Sequence, residues 1–94
     1  MMLRFSIPRR VARVVDFSDV EQRARDGGVS EPRIVHGDRH VDWTRVICSP
    51  ETAVFLVQAL RRVSASAEQV GDRELQDAAM SAIATALSAK ATSP

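Results

Sequence analysis

The sequence predicts an α+β domain: a small antiparallel sheet of three or four strands, one short helix, and a C-terminal antiparallel helical hairpin packed on one sheet face. Three observations carry this. Leu3, Phe5 and Ile7 alternate with Arg4 and Ser6, the period of a half-buried strand. Gly37-Asp38 stands between two runs rich in β-branched residues, a hairpin signal. Beyond Ser49, two long stretches carry apolar residues at helical spacing, divided by Gly71-Asp72, a helix stop followed by a helix cap.

Taken in order, the first strand ends at Pro8, which has no backbone N–H to give to a ladder. Val11 to Phe17 is rich in β-branched residues and reads as a second strand, with a helix begun by Pro8 as the alternative. Ser18 and Glu21 have the spacing of a capping box, and Gly27-Gly28 supplies a stop, so residues 19–26 are expected to be a short helix. Pro32 forces extension before the hairpin. A two-residue turn at Gly37-Asp38 pairs Ile34 with Val41 and Arg33 with Asp42, an apolar pair on one face and an opposite-charge pair on the other. In that register Trp43 shares the face of Ile34 and Val41 and is expected in the core. Ser49, Pro50 and Glu51 then give a cap, a proline at the first helical position and an acid in the first turn. Residues 49–90 form the helical hairpin, and residues 91–94 are expected to fray.

The 94 residues amount to one domain. With 45% apolar and 27% charged residues, the composition excludes a disordered chain. Thirteen basic and twelve acidic residues leave a net charge of +1, so no global field points to nucleic acid or an anionic membrane. A single cysteine, Cys48, excludes an internal disulfide framework and fits a reducing cytoplasm. Pro8, Arg9 and Arg10 break any leader-like apolar run, and Ala78–Ala89 is far shorter than the ~20 residues of a membrane span. The expected setting is cytoplasmic, with no membrane contact.

The helix faces hold the first functional candidates. In the first long helix Ala53, Leu56, Val57, Leu60, Val63, Ala67 and Val70 form a core stripe, and Val54 and Phe55 fall outside it. Together with Arg61 and Arg62 they make a candidate partner-binding patch. In the second, apolar residues fill an arc of roughly 200°, against about 100° for an ordinary surface helix. Met80, Ile83 and Leu87 lie within that arc and are the candidates for self-association, since a small chain with a thin core gains from burying more surface.

Chemistry is sparsely encoded. His36 and His40 flank Asp38, but in the expected register they point to opposite faces, and no second cysteine completes a zinc set with Cys48. Cys48 precedes a helix start, which favours a thiolate, yet it shares the face of Val46 and reads better as a small buried hydrophobe. No catalytic set, phosphate loop or dinucleotide fingerprint is present, so neither an enzyme nor a cofactor is expected. Arg4, Arg9, Arg10 and Arg13, with no acid before Asp16, are a candidate phosphate grip. Arg9-Arg10-x-x-Arg13 followed by Asp16-x-Ser18 resembles fragments of the arginine and Asp-x-Ser motifs of PilZ cyclic-di-GMP receptors. That likeness spans ten residues, lacks the closing glycine, and implies a six-stranded barrel that this chain is too short in strands to build; no residue role is carried over. The reading the sequence favours is a non-enzymatic protein–protein interaction module (a small regulator, adaptor or inhibitor) that forms a homo-oligomer through its C-terminal helices. The alternative is a nucleic-acid or nucleotide phosphate binder using the four N-terminal arginines.

Overall fold

The computed structural model describes residues 1–92 and has the α+β architecture that the pattern of elements predicts. In chain order the elements are β1 (Met2–Pro8), α1 (Arg9–Ala12), α2 (Phe17–Asp26), β2 (Arg33–His36), β3 (Trp43–Cys48), α3 (Pro50–Gln69), α4 (Arg73–Ser88) and β4 (Ala91–Thr92). The strands are antiparallel in the order β2-β3-β1, with two-residue β4 beside the start of β1. Leu3, Phe5 and Ile7 of β1 are buried, and so are Thr44, Val46 and Cys48 of β3. The helices cover that face and leave the other open.

Residues 91 and 92, expected to fray, instead pair with Met2 and Leu3. Ser93 and Pro94 lie outside the described residues.

The expected second strand at 11–17 is replaced by the end of α1, a turn over residues 13–15 and the start of α2. Val11, Ala12 and Val15 are buried while Val14 is exposed; a strand would turn the neighbours Val11 and Ala12 to opposite faces, whereas helical winding gathers i, i+1 and i+4 on one side. Pro8 takes φ −58° at the cap of α1, and its missing N–H costs nothing there. The cap of α2 also differs from expectation: Asp16, not Ser18, accepts the Asp19 N–H at 3.1 Å, and the helix begins at Phe17. Gly28, at φ +71°, ends it in the left-handed region.

The hairpin register is the largest correction. Ile34 pairs with Val46 and Arg33 with Ile47, and residues 37–42 form the connection. Against the expected pairing this is an odd shift, and an odd shift exchanges the two faces of a strand. Thr44, Val46 and Cys48 face the core as a result, whereas Trp43 turns outward with Arg45 and Ile47 and is only half-buried. The connection is held from outside the hairpin. The Arg9 guanidinium donates to the carbonyls of Gly37 and Asp38, and the Arg9 N–H donates to the Asp42 carbonyl at 3.4 Å. A Cβ at Gly37 would run into Val41 Cγ2 and lie 3.1 Å from the Trp43 ring, so the close approach here requires glycine.

The helical hairpin starts as the sequence predicts. Ser49 Oγ accepts the Thr52 N–H at 3.2 Å, and the hydroxyl of buried Thr52 donates a hydrogen bond to the Ser30 carbonyl at 2.7 Å, tying α3 to the preceding loop. Asp72 Oδ1 caps α4 through the Leu75 N–H at 3.1 Å. Leu56, Leu60 and Val63 of α3 meet Ala79, Ala82 and Ala86 of α4 in the core, where small side chains let the two backbones approach. Val70, expected on the α3 stripe, sits past the helix end and is exposed.

Candidate functional site

The four off-stripe residues of α3 divide between two sides of the helix. Val54 and Arg61, seven residues apart, lie on the side turned to α4, because seven residues is almost two full turns. Phe55 and Arg62 lie by the same spacing on the side turned to α2. On the α4 side, Val54 (55% exposed) meets Leu87 (66%) in a shallow depression of about 400 Å³ that also reaches Arg61. Arg61 then borders a second depression of about 440 Å³ with Glu68, Met80 and Ile83, and Met80 is 54% exposed. The candidate partner residues Val54 and Arg61 and the candidate self-association residues Met80, Ile83 and Leu87 are therefore brought together as one strip along the outer seam of the hairpin.

Phe55 and Arg62 are not part of it. Phe55 is half-buried and packs on the core. Arg62 Nη2 reaches Asp19 Oδ2 at 3.3 Å, and the same carboxylate accepts from Arg23 Nε at 3.0 Å. These pairs are exposed and contribute little stability, but they neutralise Arg62 locally. Arg61 is in no ion pair among the described residues.

The four N-terminal arginines disperse. Arg4 projects from β1 onto the open sheet face. Arg9 is committed to the hairpin connection. Arg10 Nη1 reaches Glu74 Oε2 at 3.2 Å, linking α1 to α4, and Arg13 is exposed at the end of α1. What joins Arg4 on the open face is a pair that sequence reasoning missed, Arg33 and Arg45. The expected register had set Arg33 against Asp42; the observed one sets it against Ile47, with no carboxylate opposite.

Cys48 is buried on the core face of β3, and desolvation pushes its thiol from the ordinary 9.0 up to about 11. That direction suppresses the nucleophilic thiolate. His36 Nδ1 lies 3.1 Å from Thr44 Oγ1, in hydrogen-bond contact, and His40 is exposed in the connection. Among the described residues no three of His, Cys, Asp and Glu are gathered as a metal site, and no helix is long and apolar enough to cross a membrane. No protein-family model matches the chain, and neither a curated protein nor a solved structure is significantly similar to it.

Proposed function

We propose that this protein is a non-enzymatic protein–protein interaction module, a small regulator, adaptor or inhibitor, that assembles with a second copy of itself through the outer seam of α3 and α4. The observation that supports this is the strip formed by exposed Val54, Met80 and Leu87 with half-buried Ile83 on two antiparallel helices, bordered by Arg61 and Glu68. Burying a side chain the size of leucine or methionine contributes about 1.5–3 kcal/mol, so a few such residues supply a modest dimer.

The charges on the strip favour a second copy as the occupant. Arg61 and Glu68 both border the depression at Met80 and stand two turns apart, roughly 10 Å. In a two-fold contact each surface meets itself reversed, so Arg61 faces Glu68 of the partner subunit and the pair forms twice. The non-enzymatic part of the reading is supported by Cys48, whose burial quenches the one thiol, and by His36, which faces a threonine.

Light scattering across a salt series tests the assembly. The expected mass is twice 10.3 kDa, little changed at high salt, falling to the monomer for Leu87→Glu and for Met80→Glu with helicity intact. Arg61→Glu should weaken the dimer, and Arg61→Glu with Glu68→Arg should restore it. A wild-type monomer at millimolar concentration would end this reading.

A further inference from the structure

One face of the sheet is left open by the helices. Arg4, Arg33 and Arg45 project from it together with Trp43, Ile47 and Val35. Among the described residues of β1, β2 and β3, no carboxylate projects with them. Arg4 and Arg33 flank Ile47 in one row of the register, which sets their Cα atoms about 10 Å apart at the usual strand spacing. Arg45 lies two residues along the middle strand, so the three cations form a compact triangle.

Among the described residues, four arginines elsewhere are neutralised by a neighbouring acid, and these three are not. Arg10, Arg23, Arg25 and Arg62 each meet an Asp or Glu, whereas Arg4, Arg33 and Arg45 are in no ion pair among the described residues. Arg45 instead sits over the Trp43 ring, 5.3 Å from its centroid. Trp43 is half-buried, with the Gly37 backbone close against its ring, so the stacking surface is the guanidinium laid over it, and nucleobases stack on guanidinium planes as they do on aromatic rings.

We propose that this face binds single-stranded nucleic acid: phosphates engage the arginine triangle, and a base stacks on the Arg45–Trp43 pair. An acidic peptide would satisfy the charges but has no base to lay on that pair. This goes beyond assembly through the helices and uses none of its residues.

Trp43 is the sole tryptophan, so its emission reports on this face alone. A short labelled oligouridylate is titrated into the full-length protein, with anisotropy and Trp43 emission followed together. The expected result is binding that changes Trp43 emission and weakens with salt at a log–log slope of about −2, three arginines at ~0.7 each. Arg33→Glu with Arg45→Glu should weaken binding by roughly tenfold or more and flatten the slope, while Arg13→Glu leaves both unchanged. Should the double reversal disturb folding, Arg33→Gln with Arg45→Gln, checked by circular dichroism, gives the same reading. Absence of binding at low salt overturns the proposal. So does competition by polyglutamate as effective as that by oligouridylate, with no change at Trp43, which would assign the face to an acidic protein.

Discussion

Cys48 shows how far one side chain's surroundings decide its chemistry. Its place just before a helix start suggests an activated thiol, yet the side chain points into the core, and burial moves the thiol from 9.0 to about 11. In the unfolded chain the thiol ionises first, so its contribution to stability is whole below pH 9 and is lost as pH rises toward 11. The loss amounts to roughly 2–3 kcal/mol at about 1.4 kcal/mol per pH unit. The chain has no tyrosine and one lysine, so little else ionises in that window. Denaturation of wild type should show a falling midpoint from pH 9 to 11, and Cys48→Ala, although less stable throughout, should lack the slope.

At the scale of elements, what was legible in the sequence is what local periodicity and caps determine. β1, α3 and α4 carry their own period, and Ser49 and Asp72 mark their own helix starts. The stretch from Val11 to Val15 is too short to choose between periods of two and four, and the core that chose lies elsewhere in the chain. The β2–β3 register was hidden for a related reason. Gly37-Asp38 is a local hairpin signal, but the connection is fixed by Arg9, a distant residue donating to Gly37 and Asp38. Losing the register also concealed the outward arginines, since which face a strand residue occupies depends on it. The strip along α3 and α4 was legible as two separate patches; their junction depends on how the helices are phased in the packed hairpin. Arg9→Ala should cost about 1.5–3 kcal/mol, the worth of a hydrogen bond from a charged donor, and should speed amide exchange in residues 37–42 more than in β1.

For the whole molecule, the two proposed surfaces share no residue: one runs along α3 and α4, and the other lies on the sheet face that the helices leave open, so occupying one consumes no side chain of the other. Assembly also stabilises the fold by mass action, which matters for a core built largely of valine and alanine. Raising the protein concentration a hundredfold should raise the melting temperature of wild type but not of Leu87→Glu.

The strand order carries a consequence for how the chain acquires its structure. β1 emerges first, yet its ladder partners are β3, from the middle of the chain, and β4, at residues 91 and 92. The α3–α4 hairpin, by contrast, closes through near neighbours in sequence, and such contacts form fastest. During synthesis the helical hairpin has its residues in hand before β4 exists. The β1–β4 edge is thus the part of the sheet that closes last, since its pairing spans the greatest separation in sequence.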